Sequence, residues 1–156
     1  MNFLLRLKSW QLFVITVIPL LFPPVNAFGI IATIIGYTIY IAWVFSIGYA
    51  MNALIPDKSK PDVIFFKVNS IFMAIAILFG IYFSYYGVNQ YLGCVFIAVI
   101  LLSFFYCISF AGRMLESMIK GEMVNFSDSL KTIKYIWVFP LGIWYLQPAI
   151  KRVLEK

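Results

Sequence analysis

The sequence predicts an all-α protein, a polytopic transmembrane helical bundle of four spans with a short C-terminal interfacial or re-entrant segment. Three observations carry that prediction. Of 156 residues, 63% are hydrophobic and only 12% charged, more apolar surface than a soluble core of that size can hide. Residues 68–112 run for about 45 positions without Asp, Glu, Lys, Arg or His, twice the roughly 20 apolar residues of one membrane-spanning helix. The twelve Lys and Arg fall at positions 6 and 8; 58, 60 and 67; 113, 120, 131 and 134; and 151, 152 and 156. Four crossings put all of them on one side, which the positive-inside bias makes the cytoplasm, with the N-terminus in.

The first expected span is 3–22. Arg6 and Lys8 precede an apolar run, Pro19 loosens the helix, and Pro23-Pro24 ends it. Val25-Asn26-Ala27 resembles a signal-peptide cleavage site. We read 1–27 as retained, because 3–22 is just long enough to cross if Arg6 and Lys8 snorkel to the interface. The second span, 28–54, is closed by Pro56 and the polar loop that follows it. The uncharged stretch supplies the third and fourth, 66–86 and 91–113, joined by a turn in which Gly87, Asn89 and Gln90 interrupt the apolar run. All of this forms a single integral-membrane domain, 1–156.

Small residues recur four positions apart in these spans: Ala32 and Gly36; Ala42, Ser46 and Ala50; Ala76, Gly80 and Ser84; Ser103, Cys107 and Ala111. Such spacing places them on one helix face, where another backbone can approach closely. Gly36, Ser46, Ala76, Gly80, Ser84, Ser103, Cys107 and Ala111 are therefore the expected packing positions. Cys94 and Cys107 lie about 20 Å apart along one helix and cannot pair with each other.

Beyond Arg113 the helix is expected to leave the membrane, with Glu116 and Lys120 in the favourable i,i+4 order and Gly121 as its stop. Asn125 to Ser129 offers caps for a following amphipathic helix. The connector 113–134 is the largest polar surface in the chain. The last apolar segment, 135–150, is about 16 residues long, short of a usual span, and is interrupted by Pro140, Gly142 and Pro148. We expect it to lie in the cytoplasmic interface or to dip in and return near Pro140-Leu141-Gly142, with Gln147 hydrogen-bonding freed backbone groups. A fifth span is the alternative. The candidate partner contacts are accordingly Arg113, Glu116, Lys120 and Asp128 on the connector and Trp137, Pro140, Gly142, Trp144, Gln147 and Pro148 on the final segment.

Pro140-x-Gly142-x-Trp144-x-x-Gln147-Pro148, followed by Lys151-Arg152 and preceded by Phe126-Ser127-Asp128, is similar to the ending of many small, uncharacterised bacterial multi-span membrane proteins. The resemblance covers the last quarter of the chain. It implies the bacterial inner membrane and no particular activity.

The chain contains no histidine, which removes His-activated nucleophiles and ordinary zinc or haem ligation. All six acidic residues lie in polar segments rather than within spans, unlike the ionisable groups of proton- or ion-coupled transporters. No glycine-rich phosphate loop occurs, and the basic clusters lack the interleaved aromatics of nucleic-acid surfaces. The sequence thus predicts no enzyme, cofactor, metal or nucleic-acid partner. It fits an accessory or interaction subunit whose partners are the bilayer and another membrane protein or a second copy, a class that includes immunity to a membrane-acting toxin. A homo-oligomeric pore or facilitator, lined by Thr33, Ser46, Asn69, Ser70 and Ser103, is the alternative.

Overall fold

A computed structural model of the chain describes residues 3–56, 60–87 and 89–155, with the side chains of Ile81, Ser84, Tyr85 and Tyr86 outside the description. The described residues form helices only: α1 (Phe3–Arg6), α2 (Ser9–Leu20), α3 (Ala27–Leu54), α4 (Ile64–Tyr86), α5 (Gln90–Lys120), α6 (Phe126–Trp137) and α7 (Phe139–Leu154). Two of them, α3 and α5, are long and apolar enough to cross a membrane, and Ser9–Leu20 and Ile64–Gly80 are shorter apolar helices.

Local chemistry sets the boundaries. The stretch 3–22, expected as one span, is two helices, because the chain turns extended at Lys8 and its N–H is captured by Gln11 Oε1 at 2.9 Å. Asn26 caps α3, its Oδ1 accepting the Gly29 N–H at 2.8 Å. Asp62 holds the start of α4 through the Ile64 N–H at 2.8 Å. Gly87 and Gly121 stop α4 and α5 with φ of 73° and 77°, a left-handed turn that glycine makes without a Cβ clash. The final segment breaks close to the expected Pro140-Leu141-Gly142 but just before it. It breaks at Val138 (φ −80°, ψ 57°), which leaves Pro140 in the first turn of α7, where its missing N–H is harmless.

Helices α3 and α5 pack against each other at the centre. α2 lies on α3 and α7, α4 on α5 and α3, and α6 and α7 form a hairpin laid along α5. The core of Trp43, Ile47, Met51, Phe66, Ile108, Leu115, Ile136, Ile143 and Ile150 occupies the end of the bundle where the second halves of α3 and α5 meet the hairpin. Among the described residues none between 77 and 102 is buried, so the outer halves of α4 and α5 stand out as a two-helix arm.

Candidate functional site

The α6–α7 hairpin is built on an amphipathic helix. Ser129, Thr132, Ile133 and Ile136 form the buried stripe of α6, and it meets α5 at a glycine. A Cβ on Gly112 would lie 2.6 Å from the Ile133 side chain and 3.2 Å from its backbone nitrogen, so only glycine lets the two backbones come this close. One turn further along α5, Thr132 Oγ1 donates to Glu116 Oε2 at 2.6 Å, while Glu116 Oε1 sits 3.9 Å from Lys120 Nζ. Trp137, at the tip, lies 5.9 Å from Phe105.

Proline chemistry then explains the tip. Pro140 has no N–H to give the Ile136 carbonyl four residues earlier, so that carbonyl is orphaned. Tyr40, on α3, donates its hydroxyl to it at 3.0 Å. The break itself stays bonded: the Val138 N–H reaches Lys134 O at 2.8 Å, and Val138 O accepts the Gly142 N–H at 3.0 Å. A Cβ on Gly142 would overlap the Tyr135 carbonyl, which makes the tight reversal a glycine-only contact. The two arms are clasped by the Tyr135 and Tyr145 rings, stacked 4.1 Å apart, and by Lys131 Nζ, 5.3 Å from the Tyr145 ring. The tyrosine contact raises the Lys131 pKa above its ordinary value, so the lysine is charged throughout the physiological range.

Gln147 is the polar centre of the molecule. Its side chain is 1% exposed. Nε2 donates to the carbonyls of Leu4 at 3.0 Å, Leu5 at 2.9 Å and Leu7 at 3.0 Å, and Oε1 accepts the Trp43 indole N–H at 3.2 Å. The Leu4 and Leu5 carbonyls are orphans of the four-residue α1, whose helical ladder ends before they can be paired, and Leu7 lies in the bend that follows it. Two amide hydrogens shared among three acceptors make three-centre bonds. One side chain therefore ties the start of the chain, the middle of α3 and α7 together.

A cavity of about 670 Å³ opens between the hairpin tip and the arm, lined by residues that include Thr33, Tyr37, Tyr40, Ala76, Gly80, Ile100, Phe104, Trp137 and Phe139. No Asp, Glu, Lys or Arg is among its lining residues. Its walls suit an apolar helix or a hydrocarbon chain and hold no group that could take up a proton at neutral pH or coordinate a metal.

The expected packing residues divide. Gly36 is at a close contact, where an added Cβ would lie 2.7 Å from Leu20 and 3.0 Å from Thr16 O. Ser46, Ala76, Ser103, Cys107 and Ala111 are buried, and Cys107 Sγ lies 3.6 Å from Ser70 Oγ across the α4–α5 contact. Gly80 is not at a helix crossing: an added Cβ meets nothing within 4 Å, because the position lines the cavity. The Ser84 side chain lies outside the described residues. The expected partner contacts divide as well. Lys120, Asp128, Trp137, Pro140, Trp144 and Pro148 are exposed, and Arg113 and Glu116 partly so. Gly142 and Gln147 are consumed inside the chain and offer nothing to a partner. Tyr40 and Trp43 read from the sequence as mid-span packing aromatics and are buried, but their hydrogen bonds to Ile136 O and Gln147 and the close contact at Gly112 were not foreseen. The missing N–H of Pro140 was a readable signal that some donor must face Ile136, though not which one. No protein-family model, curated protein or solved structure matches the chain.

Proposed function

We propose that the chain is a four-span protein of the bacterial inner membrane, N-terminus in the cytoplasm, that acts without catalysis as an accessory subunit by packing against a transmembrane helix of another membrane protein. The arm carries this reading. Across residues 77–102 the described side chains are apolar or aromatic apart from Asn89 and Gln90 at the turn, with Leu78 56%, Leu92 65% and Leu102 71% exposed, yet none is buried by the rest of the chain. A helix pair that leaves both flanks bare, beside a cavity of about 670 Å³, gains packing contacts only from outside. In hydrocarbon such packing, rather than the hydrophobic effect, is what favours helix association.

The hairpin supports a re-entrant C-terminal segment within this scheme. Its tip bonds Tyr40, midway along α3, while Lys151 and Arg152 lie in the last turn of α7, away from that tip. Irregular backbone at depth needs internal hydrogen bonds, and Val138 has them. The pore alternative draws less support. Asn69 Nδ2 and Ser70 Oγ each bond a carbonyl of their own helix at 2.8 Å, which leaves them poor lining groups.

Photoreactive residues placed in the arm at Ile97 or Leu102, and on α2 at Ile18 as a comparison, test the reading in native membranes. A discrete protein adduct from the arm positions alone is expected. Adducts to lipid only, at all three positions, would refute it, and an adduct of twice the chain's mass would make the partner a second copy.

A further inference from the structure

A second, smaller cavity of about 240 Å³ lies where the loop before α4, the second half of α5 and the start of α6 come together; Asp62, Tyr106, Ser109, Phe110, Arg113 and Phe126 line it. We propose that it binds the phosphoethanolamine headgroup of a membrane phospholipid, with the phosphate on Arg113 and the ammonium on Asp62.

The first argument is an unspent cation. Arg113 Nε is buried and has no hydrogen-bond partner among the described residues. The guanidinium's one hydrogen bond to a described residue is a long one, 3.5 Å from Nη2 to Val124 O. A guanidinium carries five donors in a planar fork that matches a phosphate bidentately, and burying its N–H groups unpaired is costly. The second argument is the anion across the same cavity. Asp62 uses Oδ1 to cap α4, but among the described residues no ion pair joins it to Arg113, and the salt bridge there is Glu116 with Lys120. Two opposite charges facing one cavity without touching are complementary to a ligand bearing both signs. A simple anion would satisfy Arg113 and be repelled by Asp62.

The third argument is depth. Arg113 is the first charge after the uncharged stretch 68–112, and so it sits where a span meets the headgroup layer. Tyr106 and Phe110 lie one to two turns deeper on the same helix face, flanking the path an acyl chain would take. The Tyr106 and Ser109 hydroxyls supply further donors for phosphate oxygens. The ammonium of ethanolamine donates hydrogen bonds to Asp62, whereas the trimethylated ammonium of choline has none to give. Basic pockets at the cytoplasmic ends of spans are a recurring way of holding lipid headgroups.

The site requires the chain to be integral to the bilayer, and the test separates the two claims. The full chain is reconstituted in vesicles of equimolar phosphatidylethanolamine, phosphatidylglycerol and phosphatidylcholine, re-purified in mild detergent, and its retained lipid is measured by native mass spectrometry. Wild type should retain phosphatidylethanolamine over the other two. Arg113→Gln should lower retention about tenfold, the scale of one charge-assisted hydrogen bond. Asp62→Asn should abolish the preference over phosphatidylglycerol. Ser109→Ala, which removes a single hydroxyl, should weaken retention in a fully folded chain. Unchanged retention in both Arg113→Gln and Ser109→Ala would overturn the site. So would an ethanolamine preference that survives Asp62→Asn, or displacement of the lipid by millimolar inorganic phosphate, which would assign the cavity to a free anion. Release of wild type from membranes by alkaline carbonate would overturn the membrane reading and the site with it, whereas a carbonate-resistant chain with unchanged lipid overturns the site alone.

Discussion

Replacing Gln147 by leucine removes one amide at nearly equal volume and strands groups on α3 and at the start of the chain. Trp43 loses the acceptor for its indole N–H, now 3.2 Å away, and Trp43 is fully buried. A stranded buried donor costs about 1–3 kcal/mol. The Leu4, Leu5 and Leu7 carbonyls lose their shared donor, at about 0.6 kcal/mol for each bond by the average for membrane proteins. The sum is about 3–5 kcal/mol, or roughly a hundredfold to a few thousandfold in the folded-to-unfolded ratio. Detergent-solubilised Gln147→Leu should melt roughly 10 °C below wild type by the size scaling of soluble domains. Gln147→Glu should be worse, since a carboxylate would face three carbonyl oxygens. Pairing Gln147→Leu with Trp43→Phe in a double-mutant cycle isolates the indole bond, and a coupling of about 1 kcal/mol is expected. If Gln147→Leu melts with wild type, within about 0.5 kcal/mol, then the amide is not a structural tie and the role assigned to it is wrong.

Four further outcomes follow from the geometry. Gly142→Ala should prevent accumulation of folded protein, because its Cβ overlaps the Tyr135 carbonyl, whereas Gly121→Ala, in open space at φ 77°, should cost only about 1 kcal/mol of left-handed strain; thermal melts of both variants decide. Gly36→Leu should destabilise strongly through its collision with Leu20 and the Thr16 carbonyl, while Gly80→Leu should be tolerated; equal effects in a detergent melt would contradict the two environments. In a chain with Cys94 replaced by serine, a cysteine at Asn89 should react with an impermeant reagent from outside the cell and one at Glu122 should not; the reverse would invert the topology. A C-terminal reporter that is active only in the cytoplasm should be active, and activity only outside would mean five spans.

Much of the local structure was legible because it depends on neighbours in sequence. The Gly121 stop, the Glu116–Lys120 pair and the small face of Ser103, Cys107 and Ala111 follow from spacing and backbone sterics alone. The break between α1 and α2 was not legible. Residues 3–22 carry no proline or glycine before Pro19 to mark a break at Lys8, and the carbonyls the break frees are bonded by an amide from residue 147. Gln147 was expected to satisfy freed backbone groups, but periodicity carries no information about partners about 140 positions away. Gly80 was misread for a related reason. Spacing of four shows that a close approach is permitted, and only the path of the partner helix decides whether it happens; here α4 and α5 diverge around a cavity instead. The Arg113 and Asp62 cavity was half visible, since Arg113 was a candidate contact, but the facing carboxylate sits on a loop whose course no pattern dictates.

The amide of Gln147 also sets an order of events in biosynthesis. Leu5 is bonded to a residue 142 positions later, so α1 cannot reach its final partner until nearly the whole chain has left the ribosome. Until then its carbonyls and the Trp43 indole must find other partners. Closure of the Gln147 contacts is therefore a late step, slow in the manner of contacts with large sequence separation.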